Sequence, residues 1–236
     1  MNDVSTHSSK CSADLTGKHI LVTHADQFMG PVLAECLTGC GASVVSSTEP
    51  LKSASEVSRV VEVMGQIDCL VANLAMPAPQ TLASDVSDAE WSLVFKTMVD
   101  PLHWLVRAVL PQMIERRHGK ILLMGSASAL RGINKTSSYC AARGAQISFI
   151  QAVGVEVARH NVQVNAIAQN FVDNETYFPE EVQQNPAFQK RLKNEVPLGR
   201  LVGKYEDAGF AAYLCSDAAD CFVGQVFPVC GGWVAR

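Results

Sequence analysis

Three residues in the middle of the chain have the types and spacing of a proton-transfer site: Ser126, Tyr139 and Arg143. They lie in the run Gly125–Ala145, GSASALRGINKTSSYCAARGA. Tyr139 and Arg143 are four positions apart, so on a helix they share a face and their side chains meet. Ser126 follows ILLMG, an apolar run with the character of a buried parallel strand that ends just before it. A hydroxyl at a strand end, facing a phenol and a fixed cation on a nearby helix, can pass a proton to or from a substrate oxygen. A cation beside a phenol favours its ionised form, which a phenol acting as a base requires. Taken alone, the Tyr–Arg pair reads better as a structural helix contact than as a catalytic one. What selects between the two is the rest of the chain.

Short apolar runs alternate with helical stretches on both sides of this site. His19–Thr23 (HILVT) reads as a first buried strand, turning through His24–Pro31 into a helix that carries Val32, Leu33 and Leu37. Pro31 sits where helices favour proline, and Gly39 and Gly41 mark the helix end. Further strands are expected over Ala42–Ser46, Ile67–Asn73, Lys120–Met124, Val162–Ala168 and Gln225–Val229. Helices are expected within Glu49–Met64 and over Asp88–Val99, Pro101–Arg117, Ser138–His160 and Asp207–Leu214. An insertion near residues 173–203, with a helix over Glu181–Asn194, is placed to cover the site as a lid. This alternation implies an α/β fold: a single-domain, doubly wound parallel sheet of Rossmann-like type with right-handed crossovers. The short stretch between Ser46 and Ile67 holds one helix and no full extra strand–helix pair, so one sheet edge should be abbreviated. Residues 1–14 read as a polar N-terminal extension without signal-peptide character, and residues 15–236 as the catalytic domain.

The 236 residues can bury a full core, and 48% hydrophobic against 18% charged composition argues against disorder. A net charge of −4 with no basic block points to neither nucleic acid nor an anionic membrane as partner. No apolar run approaches membrane-spanning length. The eight cysteines form no C-x-x-C pair, and a chain of this size needs no disulfide staples, so reduced thiols in a cytoplasm are expected. Cys36 and Cys40, although helix-spaced, suit packing better than metal binding, and no metal site is expected.

The order of these pieces resembles the short-chain dehydrogenase/reductase superfamily from Leu15 to Trp233. The resemblance is carried by LTGKHILVT, IDCLVAN, Ser126…Tyr139…Arg143, VNAIAQN, VPLGR and SDAADCFVGQVFPVCGGW. It implies Tyr139 as acid/base and Ser126 as the group that orients the substrate oxygen. Three departures then matter. The superfamily's phosphate loop, T-G-x-x-x-G-x-G, is here Thr23-His24-Ala25-Asp26-Gln27-Phe28-Met29-Gly30, so histidine and phenylalanine replace two glycines that let backbone touch pyrophosphate. The second strand ends in Ser46-Ser47-Thr48, with Glu49 the nearest acid for an adenosine ribose. The superfamily's lysine, four residues after the tyrosine, is Arg143, which is planar and permanently charged and is no equivalent ribose clamp. Met98 stands where the superfamily places a relay asparagine.

Lost glycines, retained serine and tyrosine, and a switch to arginine resemble the halohydrin (haloalcohol) dehalogenases, a branch that has abandoned the nicotinamide cofactor. That resemblance implies a halide pocket in the emptied space, lined by Phe28 and by the Gln169-Asn170-Phe171-Val172 loop, with backbone N–H groups as donors. It implies closure of vicinal haloalcohols to epoxides, with release of halide and a proton, and the reverse opening of epoxides by azide, cyanide or nitrite. No cofactor is then required. Tyr177 and Phe178, in the lid-like segment, are placed to shape the substrate pocket or simply to pack. His24 reads as loop filler, Trp233 as a pocket or subunit contact, and a homotetramer, with a dimer as fallback, follows from the resemblance. Two rivals stay open at this point: an NAD(P)-dependent oxidoreductase with a degenerate phosphate loop, and a non-catalytic metabolite-binding member.

Overall fold

The computed structural model describes residues 13–235. The expected extension over residues 1–14 lies outside them, apart from its last two positions. The strands are β1 (His19–Val22), β2 (Ser43–Ser46), β3 (Cys69–Ala72), β4 (Gly119–Ser126), β5 (Val162–Gln169) and β6 (Val226–Val229). The helices are α1 (Gly30–Gly39), α2 (Ala54–Met64), α3 (Asp88–Arg116), α4 (Ser137–Val157), α5 (Glu180–Gln184), α6 (Pro186–Glu195) and α7 (Lys204–Cys215). All six strands pair in parallel in the order β2-β1-β3-β4-β5-β6. The chain is thus a single-domain Rossmann-like α/β fold, and its sheet ends at the short strand β2, the abbreviated edge.

The period-2 geometry of the strands divides the core between two faces. Ile20, Val22, Val71, Leu122 and Met124 meet Leu33 and Leu37 of α1 and Ala208 and Ala211 of α7. Leu21, Leu70, Ile121, Leu123 and Val164 meet Leu102, Leu105 and Val109 of α3 and Ile150 and Val157 of α4. With helices on both faces, the central strands β1, β3 and β4 are near-continuous apolar runs, as the sequence suggests. Helix α4 lies close against the sheet because of Gly154: a Cβ there would stand 2.8 Å from the Val164 carbonyl oxygen and 2.7 Å from the Gly224 nitrogen.

Four expectations are corrected. Asp88–Val99 and Pro101–Arg117 form one helix, because Pro101 removes a single N–H while buried Val94, Met98, Leu102 and Leu105 on either side keep the chain packed as one rod. The lid helix over Glu181–Asn194 is instead two, α5 and α6, divided where Asn185 caps α6 and Pro186 opens it. Strand β4 does not stop before Ser126 but includes it, since Ser126 still pairs with Gln169. Cys36, Cys69, Cys140, Cys215, Cys221 and Cys230 are free thiols. Cys40 is disulfide-bonded, which corrects the expectation of reduced thiols throughout. Among the described residues no helix is long and apolar enough to cross a membrane.

Candidate active site

The site forms at the carboxyl ends of β4 and β5, where α/β sheets place their ligand crevices. Tyr139 and Arg143 lie on the buried face of α4, with Ala142, Gln146 and Ile147. Arg143 is only 3% exposed, so its charge must be fully engaged. Its Nε donates to the Tyr139 hydroxyl oxygen at 3.0 Å. Its Nη1 faces the carbonyls of Leu74 and Met124 and the Oε1 of Gln146, at 3.0, 3.2 and 3.0 Å. Gln146 in turn donates to the Met98 carbonyl at 2.7 Å, so the position expected to hold a relay asparagine contributes its backbone instead. The start of α4 is tied down by Ser138, whose hydroxyl donates to Glu90 at 2.6 Å. Ser126 accepts the Ser128 N–H at 3.2 Å and shares a hydroxyl hydrogen bond with Ser128 at 2.8 Å.

The turn between β1 and α1 keeps the backbone shape of a glycine loop without the glycines. His24 and Phe28, which replace them, have φ of 42° and 50°, a region costly for side-chain-bearing residues. The retained Gly30 is required by close packing, since a Cβ there would lie 2.5 Å from the His24 carbonyl oxygen. Several polar groups of the turn are committed: Ala25 N–H to Ser47, Gln27 N–H to His24, and Gly30 N–H to Gln27. Asn73 fastens it from β3, donating to the carbonyls of His24 and Gln27, each at 3.0 Å. His24 is buried with its Nδ1 unpartnered, and burial lowers its pKa against the opposing pull of Asp26.

On the opposite wall, the Asn170 N–H is taken by the Val229 carbonyl and the Phe171 N–H by the Asn170 side-chain oxygen. Two of the three backbone donors expected of this loop are therefore occupied, and what Asn170 has left to offer is its side-chain NH₂. Phe171, at φ 52°, buries its ring against Phe178 and Trp233. Trp233 lies in that cluster, with Arg131 over its ring at 4.6 Å. Tyr177 reaches from the lid to donate to the Met76 carbonyl at 2.8 Å, its ring 5.6 Å from that of Phe28. Burial first, and then the nearby Tyr139 phenol, push Tyr177 above the ordinary tyrosine range, so it stays a neutral phenol.

These walls enclose a cavity of about 320 Å³, within the range of small-molecule sites. Its lining includes Phe28, Ser126, Tyr139, Arg143, Gln169, Asn170, Phe171, Val172 and Tyr177 together. Sequence reasoning missed Asn73, Ser128 and Thr136 in the lining, and Gln146 and Asp207 behind it. Ser128 and Gln146 had a signal, being two residues from Ser126 and one helical turn from Arg143. Asp207 had none, because an acid in a first helical turn ordinarily reads as a dipole complement.

A family model described as enoyl-(acyl carrier protein) reductase matches residues 17–234, and the chain belongs to that family, within the short-chain dehydrogenase/reductase superfamily. Among curated relatives, the 3-oxoacyl-(acyl-carrier-protein) reductase FabG of Escherichia coli (strain K12) is 28% identical, covering 92% of this chain and 97% of the relative. The FabG of Rickettsia prowazekii (strain Madrid E) is 29% identical, with 93% and 98% covered. Among solved structures, a protein described as a dehalogenation enzyme superposes with a TM-score of 0.85 at 28% identity, covering 93% of this chain and 99% of that one. A halohydrin dehalogenase (HheC) bound to ethyl (2S)-oxiran-2-ylacetate gives 0.83 at 25% identity, with the same coverage.

Proposed function

We propose that the protein is a halohydrin dehalogenase that works without a nicotinamide cofactor. It converts vicinal haloalcohols to epoxide, halide and a proton, and opens epoxides with small anions such as azide, cyanide and nitrite. One observation carries the reading: the Ser126–Tyr139–Arg143 group shares its cavity with Phe28, a ring in the turn where a reductase needs open glycine backbone. The turn does not fit a dinucleotide. Part of its N–H set is spent internally, the Phe28 ring faces the cavity beside Tyr177, and β2 ends in Ser46, with no acid at the strand end itself.

In this mechanism Ser126 holds the substrate oxygen against Tyr139, which removes the hydroxyl proton. The electron pair left on oxygen forms the new C–O bond at the neighbouring carbon while the carbon–halogen bond breaks, and the halide departs with that bonding pair. Both reacting groups sit on adjacent carbons, so the substrate supplies its own proximity. Arg143, donating to the phenol oxygen, fixes that oxygen where it can take the proton. The apolar rings of Phe28 and Phe171 and the Asn170 amide receive the halide without a countercharge that would retain it.

The likeness to FabG reductases favours a second reading, an NAD(P)-dependent oxidoreductase. Chloride release from 1,3-dichloro-2-propanol between about pH 7 and 9, measured with and without NADPH and NADH, separates the two. Release independent of nucleotide is expected. No release, together with saturable micromolar nucleotide binding, would overturn the dehalogenase reading in favour of the oxidoreductase. Assembly as a homotetramer belongs to the same proposal, and Trp91 and Leu93 on α3 and Val155 on α4, at 46%, 57% and 74% exposure, supply apolar surface for it.

A further inference from the structure

Asp207 has no part in the proton transfer described above, yet it is fully buried just behind the cavity wall. One of its oxygens, Oδ1, has no hydrogen-bond partner, and the other meets Nε2 of Gln169 at 2.5 Å. Gln169 ends β5 and lines the cavity. Among the described residues its side-chain amide has no other hydrogen bond, and its free end is not among the buried unpaired atoms. One end of this amide is therefore tied to Asp207, and the other is left to the cavity.

The geometry points to Asp207 as a positioning residue that sets, through Gln169, whether the cavity wall offers an anion an amide N–H or a carbonyl oxygen. This rests on the anion-binding reading of the site given above. An ionised carboxylate can only accept, so it holds the amide NH₂ and turns the carbonyl towards the cavity. A protonated carboxyl can donate to the carbonyl instead, which turns the NH₂ to the cavity. A separation of 2.5 Å lies at the short limit of O–H···O contacts and below the usual N–H···O range. Burial raises the Asp207 carboxyl to about pH 7, opposed only by the Gln169 hydrogen bond, so both states are accessible near neutrality. An anion should then bind together with a proton. Repulsion between the anion and an ionised Asp207 acts in the same direction.

The charged groups around α7 are otherwise engaged. Glu206 pairs with Arg200, Glu35 accepts from Tyr205, and Lys204 lies over the Tyr205 ring. Lys120 of β4 pairs with Asp220, Lys18 with Asp217, and Asp173 accepts from Gln183. The Cys36 and Cys215 thiols are pushed up, by burial at Cys36 and by the hydrogen bond with Cys69 at Cys215, and so stay neutral. Among the described residues, Gln169 is the only side chain that hydrogen-bonds the Asp207 carboxyl.

Bromide is the probe. Its dissociation constant is measured by calorimetry on the full chain from pH 5.5 to 8.5, in two buffers of different ionisation enthalpy, and in a Tyr139→Phe background to silence that phenol. Affinity should fall by up to about tenfold per pH unit above neutrality, with uptake of about one proton per bromide. Asp207→Asn, which keeps the shape and can always donate to the Gln169 carbonyl, should flatten the profile and abolish proton uptake. Bromide binding that is independent of pH, or a slope unchanged in Asp207→Asn, overturns the role of Asp207 and leaves the anion site standing. No bromide binding at any pH overturns the anion site itself and this inference with it. Proton uptake in the otherwise unaltered chain decides the matter even where Asp207→Asn fails to fold.

Discussion

The two strand ends that bound the cavity treat their polar groups in opposite ways. At the end of β4, Arg143 is tied to four oxygens, and the glutamine beside it is itself bonded to the Met98 carbonyl. At the end of β5, Asp207 keeps an unpaired buried oxygen and Gln169 keeps one uncommitted amide end. A saturated network has a single arrangement, whereas an unsaturated one can hold two. In the proposed reaction the first end fixes the geometry of proton removal, and the second adjusts to an anion that must arrive and leave.

The comparison is broken most severely at Tyr139. Tyr139→Phe should lower chloride release about a thousandfold or more while the fold stays intact, since general bases contribute about 10²–10⁴. Substantial residual turnover would move the base elsewhere. Arg143→Lys should come next, lowering turnover about a hundredfold. It should also cost about 1–3 kcal/mol, because an ammonium cannot serve the Leu74, Met124 and Gln146 oxygens together with the Tyr139 hydroxyl. Denaturant titration reads that loss, and an unchanged midpoint would mean the network is looser than drawn.

A stability effect with a definite sign, spread over several pH units, belongs to Asp207. Its carboxyl lies at about 7 in the folded chain against 3.8 unfolded, so between those values the folded state holds a proton that the unfolded state has released. Stability therefore falls as pH rises across that window, by at most about 1.4 kcal/mol per pH unit. Asp207→Asn should gain on the parent over the same range in pH-resolved melting curves, and parallel curves would count against a buried acid. The smallest change is expected at Phe28. Phe28→Gly relieves a backbone at φ 50° by about 1 kcal/mol but deletes a ring packed on Tyr177, so stability should move little while haloalcohol kcat/KM drops about tenfold. A large stability gain with unchanged kinetics would show that the ring does not border the substrate.

How much was legible beforehand follows the same division. Ser126, Tyr139 and Arg143 announce themselves through spacing on a strand end and one helix face, and the alternating apolar runs gave the sheet and its short edge. The turn was read through its missing glycines. That His24 and Phe28 would nevertheless hold left-handed backbone could not be read, because a side chain argues against that conformation and it is tertiary packing at Gly30, the turn's own hydrogen bonds and the Asn73 bonds that hold it. The join through Pro101 was missed because tertiary packing outweighed a local breaker, and the division at Pro186 because helical composition masked one. Asp207 stayed hidden because its burial depends on where α7 lands against β5, which is a long-range outcome.

The near contact at Gly154 has a practical corollary for anyone reshaping this cavity. Helix α4, which carries Tyr139, is seated directly on β5, the strand that presents Gln169, so a substitution at their junction displaces both ends of the reaction axis together. The α5–α6 segment hangs outside that seat, meeting the cavity through Arg191 and packing on Phe178 through Phe188. In the proposed reaction, substrate scope is best widened there, where side chains can be exchanged without retuning the distance between the proposed base and leaving group.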